Sequence, residues 1–210
     1  MPIEVSILPI QSTYSIDNHI ITTEVLHEEP LIVRLNNVLN DAECRALIDC
    51  ASSRLERSKL AKKEISQIRT SSGMFFEENE NPLITKIEKR IASLMHLPVE
   101  HAEGLQVLHY KPGQEFKAHF DYFGQNHPSS NNNRISTLIV YLNDVEEGGA
   151  TTFPNLGIVN IPTKGSAVYF EYFYNDEKIN EQTLHSGEPV IRGEKWVATQ
   201  WMRKKQIRER

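Results

Sequence analysis

The chain has 210 residues, with 23 Lys plus Arg against 28 Asp plus Glu and a formal charge of −5. That length fits one large domain, and 39% hydrophobic residues is too apolar for a disordered chain. The acidic balance argues against a protein that grips phosphate backbones, which wants a basic footprint, so no nucleic-acid partner is expected.

No Lys or Arg precedes Arg34, so the basic start of a secretory signal is missing. Residues 1–35 mix apolar pairs with Thr and His at no helical period, and a strand is expected only around Leu31–Arg34. Asn40-Asp41-Ala42-Glu43 then reads as a capping box, an amide N-cap with a Glu three residues on. It predicts a helix through Leu55 with Ala46, Leu47, Cys50 and Ala51 on its apolar side. Cys44 and Cys50 fall in this helix, separated by a rise of roughly 9 Å, beyond disulfide reach. Two reduced thiols point to a cytoplasmic compartment. A second helix starts at Asn81-Pro82, with Pro at the first helical position and an apolar stripe of Leu83, Ile84, Ile87, Ile91 and Leu94.

From Gly104 the period changes to two. Strands are predicted at 105–110, 115–121, 135–142, 150–153, 166–170, 183–186, 189–191 and 195–201, separated by Gly, Pro and Asn turn signals. The longest apolar run, Leu138–Leu142, is far too short to span a bilayer, so no membrane partner is expected. Short strands at regular spacing after two helices predict an α+β fold, a jelly roll with N-terminal helices packed on its major sheet.

His119-Phe120-Asp121 carries the first chemical signal, because residues two apart on a strand project to one face. Together with a distant His they would form a two-histidine, one-carboxylate site with open metal positions. His-x-acid recurs at His27-Glu29 and His101-Glu103, so the triplet alone does not decide. In the last strand Lys195, Val197, Thr199 and Trp201 share one face. A lysine on the inner face of a barrel needs an anion.

The run from Leu108 through Asp121, LHYKPGQEFKAHFD, resembles the prolyl 4-hydroxylase family of iron(II) and 2-oxoglutarate dioxygenases. So do Arg134–Val145, Gly148–Pro154, and His185 followed by Lys195, and the likeness spans roughly residues 35–203. The resemblance implies a double-stranded β-helix and one catalytic domain over 1–210, with 1–35 as an N-terminal extension and a core at about 104–203.

It further implies His119, Asp121 and His185 as iron ligands and Lys195 as the cation for the far carboxylate of 2-oxoglutarate. Tyr110, Thr137 and Trp201 are implied around the same cosubstrate. Arg69 and Ser71, in an Arg-Thr-Ser segment, and Arg134 are implied on the substrate side. Phe116 stands where some relatives have tyrosine. The implied reaction consumes O2, releases succinate and CO2, and hydroxylates proline in a peptide, with ascorbate as reductant. Phe75, Phe76, Tyr122, Phe123, Tyr172, Phe173 and Tyr174 are candidates to line a peptide groove. Segments 72–83 and 124–133 are candidate lids, the first ordering only with peptide. Other substrates of the same chemistry (a lysyl side chain, a free amino acid, a methylated base) and a non-catalytic metal-binding jelly roll are the competing readings. The sequence leaves the oligomeric state open, a homodimer included.

Overall fold

A computed structural model describes residues 4–57 and 68–209. The chain begins with an antiparallel meander of β1 (Thr13–Ile16), β2 (His19–Glu28) and β3 (Leu31–Asn36). Helix α1 (Asp41–Ser52), the short strands β4 (Glu56–Arg57) and β5 (Ser72–Phe75), and helix α2 (Pro82–Leu94) follow. The remaining elements are β6 (Gln106–Tyr110), β7 (Phe116–His119), β8 (Arg134–Tyr141), β9 (Glu147–Gly148), β10 (Thr151–Phe153), β11 (Ile158–Asn160) and β12 (Ala167–Glu171). After them come α3 (Glu177–Glu181), β13 (His185–Gly187), β14 (Val190–Arg192) and β15 (Lys195–Arg203).

Nine strands form the major sheet in the order β1-β2-β3-β12-β8-β15-β6-β5-β4, and β11-β10-β13-β7 form the minor sheet. Every pairing is antiparallel, as a jelly roll requires. Residues 13–36 therefore belong to the major sheet rather than to a separate extension. Strands β1 to β3 widen the major sheet, and β3 pairs with β12 in its interior. Their alternation is masked because Leu31, Ile32, Val33 and Leu35 are all fully buried, covered on both faces.

Alternate side chains of the central strands feed two cores. On β12, Ala167 and Tyr169 join the helix-side core, whereas Val168 and Phe170 face the minor sheet. On β15, Trp196 and Ala198 point to the helices and Val197 to the sheet interior. The helices dock as their sequences predict. Asn40 caps α1 by accepting from the Glu43 amide at 2.9 Å, while the Glu43 carboxylate accepts from the Asn40 amide at 3.1 Å. Pro82 opens α2 behind its N-cap Asn81, and Ile84, Ile87, Ile91 and Leu94 are buried against the major sheet. Each such side chain contributes about 1.5–3 kcal/mol relative to exposure. Cys44 and Cys50 are free thiols. Among the described residues no helix is long and apolar enough to cross a membrane.

Candidate active site

Three groups meet where the minor sheet closes on the inner face of the major sheet. His119 ends β7 and His185 begins β13, and the register sets them directly opposite each other. Asp121 follows β7 by two residues, turned to the same side. One ligand atom from each residue lies within 4.8 Å of the others, the one such group among the described residues. Asp121 Oδ1 is 3.4 Å from His119 Nε2, and Asp121 Oδ2 is 3.6 Å from His185 Nε2.

Both imidazoles are oriented by the same device. His119 Nδ1 donates to the Lys117 carbonyl at 2.8 Å and His185 Nδ1 to the Thr183 carbonyl at 3.0 Å, each two residues back. A proton fixed on Nδ1 leaves the Nε2 lone pair free to bind a metal. Burial pushes His185 down to about 4, opposed by Asp121, so its ring is neutral at physiological pH. Burial raises the Asp121 carboxyl, but the electrostatics of the facing imidazoles and of Arg134 outweigh it and hold the group ionised. Apolar rings complete the mounts: Phe116 stacks on His119 with centroids 3.5 Å apart, and Phe170 lies 4.7 Å from His185.

Lys195 enters the same pocket from β15, opposite Tyr110 of β6. It is 3% exposed, and its ammonium sits 5.5 and 5.8 Å from the ring centroids of Tyr110 and Tyr141. Among the described residues none forms an ion pair with it. Burial pushes its pKa down to about 8, with Glu188 opposing. Gly149 clears its stem: φ is +68°, and a Cβ there would stand 3.3 Å from Lys195 Cδ. Val197, Thr199 and Trp201 line the pocket beside it, as the alternation predicts. The indole Nε1 of Trp201 is buried without a hydrogen-bond partner among the described residues. A neutral-imidazole and carboxylate donor set suits Fe(II). The cation and the unpaired indole donor in the same pocket suit a dianionic cosubstrate.

The remaining expectations divide. Tyr110 is buried, its hydroxyl pushed up to about 12 by desolvation, and it hydrogen-bonds Ser71. Ser71 is fully buried, so its hydroxyl is engaged with Tyr110 rather than presented to a peptide. The Thr137 hydroxyl lies 2.7 Å from Asp121 Oδ2. Arg69 is half-buried with its guanidinium 5.2 Å over the Phe116 ring, and it borders a separate hollow. Arg134 lies against the site, but it forks onto Glu103 at 2.8 and 2.7 Å and reaches the Asp121 carbonyl at 3.3 Å. Its guanidinium stacks 4.0 Å over Trp201. Glu103, which also pairs with Arg203, is a residue that no local spacing in the sequence marks.

The groove expectation is also corrected in part. Tyr122, Phe123, Tyr172, Phe173 and Tyr174 line one cleft of about 770 Å3 that Arg134 also borders. Phe75 borders a separate hollow, and Phe76 is 2% exposed, a core residue. The first expected lid is built into the fold, since β5 (Ser72–Phe75) pairs with β6 and Pro82 opens α2. The segment before it is tied to β7 by the Lys117 amide on the Ile68 carbonyl at 2.9 Å and the Thr70 amide on Glu115 at 3.0 Å.

Residues 105–203 match the model of the 2OG-Fe(II) oxygenase superfamily. The chain is 38% identical over 205 residues to probable prolyl 4-hydroxylase 3 of Arabidopsis thaliana, covering 86% of this chain and 71% of that protein. It is 36% identical to prolyl 4-hydroxylase 5 of the same plant, over 85% and 70% of the two chains. Among solved structures, the viral collagen prolyl hydroxylase of Paramecium Bursaria Chlorella virus-1, in its 2OG complex, superposes with a TM-score of 0.66. That match has 32% identity and covers 82% of this chain and 95% of the viral one. The triad, the buried cation facing it and these matches agree: the chain belongs to the prolyl 4-hydroxylase family of iron(II)- and 2-oxoglutarate-dependent dioxygenases.

Proposed function

We infer that this protein is a dioxygenase that hydroxylates proline in peptides, with Fe(II) as cofactor and 2-oxoglutarate and O2 as cosubstrates. The observation that carries the reading is one pocket holding both the His119–Asp121–His185 triad and the buried cation Lys195. The prolyl 4-hydroxylase names of the relatives support proline as the target.

His119, Asp121 and His185 would hold the iron, and Lys195 would receive the far carboxylate of 2-oxoglutarate. When both are bound, the iron supplies oxidative decarboxylation to succinate and CO2 and delivers one atom of O2 into a substrate C–H bond. The protein positions and shields. The Thr183 and Lys117 carbonyls hold each imidazole with Nε2 forward. Leu108, Ile139 and Val197 make the pocket wall apolar and exclude water. The cleft of Tyr122, Phe123 and Tyr172 offers the rings on which an extended proline-containing chain docks.

In this reading ascorbate would serve as the reductant. The free thiols of Cys44 and Cys50 support a reducing, cytoplasmic setting, and the net charge of −5 supports a substrate other than nucleic acid. A single catalytic domain working as a monomer or a homodimer is compatible with this chemistry.

The test is to incubate the protein with Fe(II), 2-oxoglutarate, O2 and a proline-rich peptide. Equal amounts of succinate and hydroxyproline, both dependent on the peptide, are expected. Succinate release that no proline-containing peptide stimulates would reject the substrate assignment.

A further inference from the structure

Thr137 and Tyr172 are buried at 0% and 4% exposure, and neither was marked by the sequence as a partner of the metal carboxylate. The Thr137 hydroxyl lies 2.7 Å from Asp121 Oδ2 and 2.6 Å from the Tyr172 hydroxyl. The chemistry fixes the direction of both bonds. An ionised carboxylate only accepts, and a threonine hydroxyl has one proton. Thr137 therefore donates to Asp121, and Tyr172 donates to Thr137. Register explains how they meet: Thr137 on β8 lies opposite Phe170 on one side and Trp201 on the other, which turns it to the face of the triad. Tyr172 follows β12 and forms part of the aromatic cleft, its ring 5.8 Å from that of Tyr122.

We propose that Thr137 and Tyr172 are positioning residues for the metal carboxylate, a donor chain from the cleft wall that occupies Asp121 Oδ2 and leaves Oδ1 to bind iron. Oδ1 faces His119 Nε2 at 3.4 Å, while Oδ2 lies 3.6 Å from His185 Nε2 and is the oxygen that Thr137 holds at 2.7 Å. The relay fixes the carboxylate torsion, which the backbone alone does not, because Asp121 lies beyond the end of β7. Thr137 thus acts on iron and not on 2-oxoglutarate. The proposal rests on reading the triad as an iron site.

The experiment is an anaerobic equilibrium titration of Fe(II) alone into the purified protein and three variants. Losing a hydrogen-bond partner of a metal ligand typically costs 10–100-fold in metal affinity. Thr137→Val, which keeps the volume and removes the donor, should weaken iron binding by about that factor. Tyr172→Phe should weaken it less, and Thr137→Ser, which restores the hydroxyl, should bind close to the parent. An unchanged dissociation constant for Thr137→Val overturns the proposal. So does a Thr137→Ser variant as weak as Thr137→Val, which would mark a packing role. Failure of the parent itself to bind iron would instead remove the metal-site reading, so the two failures are told apart.

Discussion

The two faces of the major sheet treat buried charge in opposite ways. On the helix side Arg90 and Arg208 are each matched by a buried carboxylate, while the fully buried Glu171 is held by the Leu8 amide and the Tyr169 hydroxyl. Arg90, 1% exposed, forks onto Glu43 at 2.7 and 2.8 Å and also reaches Asp17, and Arg208 forks onto Glu88 at 2.7 and 3.1 Å. The inner face holds Lys195 with no ion-pair partner among the described residues, a carboxylate between two imidazoles and an indole donor without an acceptor. Desolvating a charge is costly unless it is paired. The first face therefore keeps its charges for the fold, whereas the second leaves groups that, in the proposed function, a metal and an anion would partner.

This contrast can be broken most severely at the triad. His119→Ala and His185→Ala should each reduce peptide hydroxylation below detection. Circular dichroism should remain close to the parent, since in the proposed function these side chains hold the metal rather than anchor the core. Turnover surviving in either variant would contradict the ligand assignment.

The helix side should respond the other way. Arg90→Ala leaves Glu43 buried without its partner, a loss of about 3–5 kcal/mol. Chemical denaturation should register it, while the affinities for Fe(II) and 2-oxoglutarate in the folded fraction should not change.

Acidity supplies a smaller effect confined to the inner face. The free Lys195 titrates at about 8, so below that pH its ammonium is already charged and 2-oxoglutarate affinity should be flat. Above pH 8 binding must first protonate the amine, so affinity should fall, by at most about tenfold per pH unit. The loss should be absent in Lys195→Arg, whose guanidinium stays charged. The smallest effect is expected outside both faces. Arg54 forks onto Glu80 at the surface, and Arg54→Ala should cost less than about 1 kcal/mol of stability and no activity.

Much of this was legible in the sequence where the signal is local. The Asn40–Glu43 capping box, Pro82 at a helix start, the parity of Lys195 with Trp201 and the pairing of His119 with Asp121 all act over a few residues. What escaped depends on register between distant strands. Ser72–Phe75 has weak strand propensity and reads as a loop, yet it pairs with β6. Gly73 suits the position because a Cβ would stand 2.9 Å from the Val107 carbonyl oxygen of the paired strand. Thr137 was read beside the cosubstrate, but its hydroxyl is committed to Asp121, 16 residues away. Arg134 carries nothing in its neighbourhood to announce Glu103, 31 residues earlier. The Arg-Thr-Ser segment was identified, yet only the fold reveals that Ser71 turns inward to Tyr110.

The central claim is that the inner face keeps Lys195 unpaired for the far carboxylate of 2-oxoglutarate. The most direct test titrates 2-oxoglutarate anaerobically into the iron-loaded protein and into Lys195→Ala. Removing one partner of a buried pair costs about 3–5 kcal/mol, and each 1.4 kcal/mol is tenfold in affinity. Lys195→Ala should therefore bind 2-oxoglutarate about two to three orders of magnitude more weakly, with Fe(II) affinity little changed. An unchanged 2-oxoglutarate dissociation constant would contradict the account.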